Sequence, residues 1–190
     1  MRRVLTACTF LFLFLVALWQ LGQAGLLAAK AWAAPILIEQ AWNNQLITGE
    51  QHKPWPWADS APVARMVFPG HDVTRYVLDG DNMRNLAFGP VIQREGDATF
   101  LFGHRDTHFA FLDQLEASDR LQLRLRVEEE KLWKIDRLDI VSEKDLYIRG
   151  DAPGEALYII TCYPFGQLNP DTDQRYIVSL TPVIGKPKNI

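Results

Sequence analysis

At 190 residues, with 48% hydrophobic residues, 23% charged residues and a formal net charge of −3, the chain has the length and balance of one well-buried domain plus an appendage. It carries no basic excess of the kind that recognises a phosphate backbone, so nucleic acid is not an expected partner. Two cysteines, Cys8 and Cys162, are too few for a disulfide framework.

Arg2 and Arg3 are followed by a stretch, residues 4–29, without a charged side chain. At about 1.5 Å of helix rise per residue this run is long enough to cross a hydrocarbon core of roughly 30 Å. Arginines in front and little positive charge behind favour a cytoplasmic N-terminus and export of the remainder. The rival reading is a cleaved signal peptide, because "AWA" at 31–33 is an A-x-A pattern; the retained anchor is preferred because the apolar run exceeds a usual signal core. "LTAC" at 5–8 resembles a lipoprotein processing site, but its hydrophobic segment follows the cysteine instead of preceding it. Cys8 is therefore read as a small apolar residue of the membrane helix.

Next, "PILIEQAWNNQLITGEQ" places Ile36, Ile38, Ala41 and Trp42 at spacings compatible with a short amphipathic helix leaning on the domain or the membrane. "HKPWPWADSAP" breaks it, since prolines among tryptophans cannot continue a helix. The chain thus divides into an anchor at 1–34, a linker with a short amphipathic helix at 35–61 and a globular domain at 62–190.

From there the signals are those of β-structure. "ARMVFP" and "DVTRYVL" flank Gly70, and "ATFLFG" runs over 98–103. In "RLQLRLRV", Leu121, Leu123, Leu125 and Val127 alternate with polar residues, the period of a strand with one wet face. "EEEKLWKIDRLDIV" is its hairpin return, and a change of phase between Ile135 and Leu138 predicts a bulge. "EALYIITC" and "RYIVSLTPVI" supply two more strands, and short helices fit only at 81–86 and 109–115. Seven or eight short strands with scarce helix predict a mainly β fold, a closed barrel or a sandwich.

Groups capable of catalysis gather at three strand ends: His104 after "ATFLFG", Cys162 at the end of "LYIIT", and Arg175 at the start of "RYIVSL". A free thiol has a pKa of about 8.5, so attack on a carbonyl near neutral pH needs a neighbouring cation or base. His104 can serve, and can then protonate a leaving amine. Arg175 offers a non-titrating donor for the oxyanion. Taken singly, each residue has a plainer reading: Cys162 as a buried small hydrophobe, His104 as structural, Arg175 as a rim arginine paired with Asp171 or Asp173. His104 and His108 would share a helical face with Asp106 between them, as in a metal site, but no third ligand stands at a recognisable spacing. Neither a metal nor another cofactor is expected.

As a set, "GHRDTHFAFL", "YIITCYPF" and "DQRYIV" resemble the sortases, membrane-anchored cysteine transpeptidases, and most nearly the sortase group of Gram-negative bacteria, in which Thr-Cys runs on into Tyr-Pro-Phe. The resemblance spans about 62–187. It implies an eight-stranded sortase barrel, His104, Cys162 and Arg175 as the catalytic set, and Thr161 as a residue that positions substrate or stabilises the oxyanion. Where the common motif reads T-L-x-T-C, this chain has Tyr158 and Ile159 in the first two places. The implied reaction is cleavage of an LPxTG-like signal between Thr and Gly near the C-terminus of an exported protein, through a thioacyl intermediate that an amine resolves. The implied location is the inner membrane, single-pass, with the catalytic domain in the periplasm. Two alternatives remain. An L,D-transpeptidase places an arginine two residues after its cysteine, where this chain has Pro164. In a non-catalytic, membrane-tethered binding or assembly domain, Cys162 would only pack.

Overall fold

The computed structural model describes residues 2–126, 128–146, 154–167 and 172–183. Its first element, α1 (Arg2–Thr48), is one helix that continues past the apolar run and through Pro35. The segment Thr9–Leu26 is long and apolar enough to cross a membrane and is not buried against the rest of the protein; a signal sequence meets the same description. Further along, Ala34, Ile38, Ala41, Trp42 and Gln45 are buried, spaced as one face of a helix. The amphipathic stretch therefore joins the apolar run directly and leans on the domain. Ile36 faces outward, and Ala34 occupies the inner stripe instead. Gln45 Nε2 donates to the Pro62 carbonyl at 2.9 Å and Tyr76 Oη donates to Glu39 at 2.9 Å, which pins the helix to the first two strands.

The strands are β1 (Pro62–Phe68), β2 (Val73–Asp79), β3 (Val91–Glu95), β4 (Ala98–Phe102), β5 (Arg120–Leu125), β6 (Lys131–Ser142), β7 (Ala156–Tyr163) and β8 (Gln174–Pro182). They close into a barrel in the order β1-β2-β3-β4-β7-β8-β6-β5, with β5 returning to β1. Closure leaves no edge to pair with another chain. β2/β3 and β4/β7 are parallel, and the other pairs are antiparallel. Alternation sends Ala64, Met66 and Phe68 of β1, and Leu121 and Leu123 of β5, into the interior, where they meet Leu101, Leu157, Ile159, Val178 and Leu180.

The predicted bulge is present: the register of β6 against β8 shifts between Ile135 and Arg137. β3 is the strand that the sequence does not signal, because "VIQRE" has an apolar pair followed by polar residues and no alternation. β5 ends at Leu125, and Val127 lies outside the described residues. The two short helices are 3₁₀ turns, Met83–Ala87 and Ala110–Gln114, the first capped by the Asn82 side chain accepting from Arg84 N–H at 3.0 Å.

Candidate active site

Strand direction gathers the candidate residues. β4 and β7 run parallel, so their C-terminal ends share a rim, and β8 runs antiparallel to β7, so its first residues return to that rim. His104 stands just past the end of β4, while Cys162 and Arg175 are directly opposed across the β7–β8 ladder. The three predicted residues thus occupy one end of the barrel. Cys162 is a free thiol, partly exposed, and His104 is exposed. A cavity of about 840 Å³, lined by His71, Glu155 and Pro182 among others, holds none of them.

Thr161 braces two of these strands. Its side chain is buried, and its hydroxyl donates to the Gly103 carbonyl at 2.8 Å, immediately before His104. That use of the hydroxyl proton links the strand bearing the thiol to the loop bearing the imidazole. Gly103 itself tolerates no side chain, since a Cβ there would lie 2.5 Å from the buried Phe109 ring.

Arg175 is held on one side only. Its Nη2 pairs with Glu143 Oε2 at 2.8 Å, and its Nη1 donates to the carbonyls of Thr172 at 2.7 Å and Gln174 at 3.0 Å. Among the described residues, Nε and the second Nη2 proton have no acceptor, so part of the donor fork is available. Among the described residues, the carboxylate it reaches is Glu143 and not Asp173; the expected pairing with Asp171 lies outside them. Glu143 arrives by register, because Val141 of β6 opposes Arg175 and Glu143 N–H bonds the Asp173 carbonyl at 2.5 Å. No sequence motif marks Glu143.

His104 and His108 do not share a helical face, because residues 105–108 form turns and not a helix. Their rings lie 5.4 Å apart, and His108 Nδ1 accepts the His104 backbone N–H at 3.3 Å. Burial first, then the charges of His104 and Arg75, push His108 down to about 4. Arg75 also donates from Nε to the His108 carbonyl at 3.0 Å and lies over the Phe111 ring. Asp106 turns to Arg105, whose hydrogen bond is the main reason its carboxyl sits below the usual range.

Arg105 itself is a site residue the motif reading passed over. Its side chain is buried and reaches the carbonyls of Pro164 and Gln167, in the turn that follows Cys162. The sequence marks it only by its place directly after a candidate histidine; its burial and its contacts are set by the fold. Among the described residues, no three His, Cys, Asp or Glu side chains converge to hold a metal.

A family model described as "Sortase domain" matches residues 66–183. No curated protein sequence matches the chain. Among solved structures, sortase A from Corynebacterium diphtheriae aligns at 15% identity with a TM-score of 0.59, covering 90% of this chain and 98% of that one. Sortase A from Listeria monocytogenes aligns at 19% identity and TM-score 0.54, over 64% and 87% of the two chains. Sortase C1 from Streptococcus agalactiae aligns at 17% identity and TM-score 0.55, over 67% and 70%. At these identities the structural likeness speaks for the fold.

Proposed function

Since the matched span makes this chain a member of the sortase family, the cysteine transpeptidases, we propose that it cleaves an LPxTG-like sorting signal between Thr and Gly and transfers the acyl product to an amine. The observation that carries this reading is the direct opposition of Cys162 and Arg175 across β7–β8, with His104 at the end of the strand beside β7.

In the proposed reaction, the Cys162 thiolate attacks the threonine carbonyl, and the carbonyl electron pair moves onto oxygen. Arg175 donates to that oxyanion from the side of its guanidinium not held by Glu143 and the two carbonyls. Collapse of the tetrahedral species breaks the Thr–Gly bond, and His104 delivers a proton to the departing glycine amine. The incoming amine attacks the thioester, gives up a proton to His104 and releases the thiolate. Thr161 acts through structure: its bond to Gly103 fixes the distance between the strand of the nucleophile and the loop of the acid. Asp106 and His108 frame that loop.

The setting that fits this chemistry is the inner membrane of a Gram-negative cell, with α1 as the anchor and the barrel in the periplasm. A substrate retained by its own apolar tail would then meet the enzyme in two dimensions. The run of Thr-Cys into Tyr-Pro-Phe supports the Gram-negative group.

Incubation with an LPxTG-like peptide and an amine tests the proposal. Cys162→Ala should abolish both cleavage and the thioacyl adduct detectable by mass spectrometry, with the fold retained. Arg175→Lys keeps the charge but loses the planar fork, and turnover should fall by roughly 10²- to 10³-fold. A Cys162→Ala protein that still cleaved the peptide would refute the thiol mechanism.

A further inference from the structure

We infer that Arg105 is a positioning residue for the nucleophile: its buried guanidinium ties the loop that carries His104 to the turn that follows Cys162 and sets a fixed positive charge beside the thiol. The inference rests on the proposed role of Cys162 and His104 and adds a residue that neither strand pairing nor the catalytic motif assigns.

An arginine side chain that is only 4% exposed is uncommon, because burying a guanidinium is costly unless its charge and its donors are met. Here they are met asymmetrically. Nε and Nη2 fork onto the Asp106 carboxylate at 2.8 and 3.2 Å, and Asp106 is 62% exposed, so neutralisation comes from the solvent side. The inner edge of the group goes to backbone: Nη1 to the Pro164 carbonyl at 2.7 Å and Nη2 to the Gln167 carbonyl at 2.8 Å. Those carbonyls bracket the turn that begins two residues after Cys162.

The covalent neighbour on the other side is His104. Together with the Thr161–Gly103 bond, the Arg105 side chain ties two loops that arrive from different strands; among the described residues, the backbone joins them past β4 and β7 only through the Gly103–Ile160 bond. The hydrogen bond to Asp106 raises the hold of Arg105 on its proton most; burial works against it, and the charges of Asp106 and of the Cys162 thiolate add to it. Among the described residues, the charged or titratable groups on the elements surrounding Cys162 include His104, Asp106 and His108 on the same loop as Arg105, Arg175 across the ladder on β8, and Glu143 from the turn after β6, which pairs with Arg175.

Lysine cannot replace this residue fully. It keeps the charge but presents a point of donors, and cannot hold Asp106, Pro164 and Gln167 in one plane. Methionine keeps much of the length and loses both charge and donors. The two variants separate the electrostatic role from the geometric one.

The test uses the full chain in detergent and iodoacetamide as the probe of the thiol, which requires no substrate. Alkylation of Cys162 is followed against pH for the wild type, Arg105→Met, Arg105→Lys and Arg94→Met, an exposed control on β3. Arg105→Met should move the alkylation midpoint to higher pH, with about a tenfold loss of rate at neutral pH for each pH unit of the shift. Arg105→Lys should stay near the wild-type midpoint yet lose turnover of an LPxTG-like peptide about tenfold or more at unchanged KM, as expected for a displaced reacting group. A folded Arg105→Met protein with wild-type midpoint and turnover would overturn the inference. If Arg105→Met does not fold, an Arg105→Lys protein with wild-type turnover overturns it equally. Failure of the thiol mechanism gives a different result, a Cys162→Ala protein that still turns over peptide. If the wild type ignores the peptide, the alkylation profile of Arg105→Met alone decides.

Discussion

His108 stays neutral down to about pH 4 because its ring is largely withdrawn from water and faces the charges of His104 and Arg75. In the unfolded chain the same ring binds a proton near pH 6.5. Its folded pKa is therefore depressed, so its contribution to stability is complete above about pH 6.5 and is lost as pH falls through about 4, where the fold must accept the proton or open. His108→Asn should remove that component while keeping an oxygen that accepts the His104 N–H. Thermal midpoints measured from pH 7.5 to 4.5 should show the wild type losing more on acidification than the variant; parallel slopes would contradict the account. At this scale the residue types of the site were readable, since thiol chemistry calls for a thiol, an acid–base group and an oxyanion donor. Arg105, Glu143 and the true partner of His108 were not, because each acts through a contact between segments distant in sequence or through burial.

At the scale of elements, α1 is held by its second half. Trp42 is almost wholly buried, lies against Tyr76 of β2 at a ring separation of 6.3 Å, and stands one turn before Gln45, which bonds Pro62 at the start of β1. Trp42→Ala removes the largest side chain in this contact, and the loss should be about 3 kcal/mol or more in unfolding free energy by denaturant titration. A loss under about 1 kcal/mol would mean that the helix merely rests on the barrel. The sequence marked this face through its apolar spacing, and it marked β5 and the β6 bulge through alternation and its change of phase. It did not mark β3, whose assignment comes from its neighbours: Val91 and Ile92 pair with β2 on one side and β4 on the other.

For the molecule as a whole, the unbroken helix matters more than its composition. Ala34, the first residue of the buried stripe, stands eight positions beyond Leu26 at the end of the apolar window, or about 12 Å of helix. If the helix is retained as an anchor, the barrel stands close to the bilayer surface, where the exposed Trp32 and Trp57 suit the interfacial zone that aromatic side chains favour. The mature protein should then sediment with membranes, come free only with detergent and keep its first residues on N-terminal sequencing. A soluble product beginning after Ala33 would show that the segment is a signal sequence.

The sequence by itself determined the class of fold and the types of residue available for chemistry, because alternation, turn residues and apolar runs are local and leave a periodic trace in the chain. It placed His104, Cys162 and Arg175 at strand ends, since strands stop where alternation stops. Only the tertiary structure decided that those ends share one rim. That follows from the parallel pairing of β4 with β7 and the antiparallel return of β8, both pairings between segments far apart in the chain. It also decided where the polar groups of the site find partners: Arg175 with Glu143, Thr161 with Gly103, and Arg105 with the turn after the thiol. A buried donor takes whichever acceptor closure brings within reach, and sequence distance carries no record of that choice.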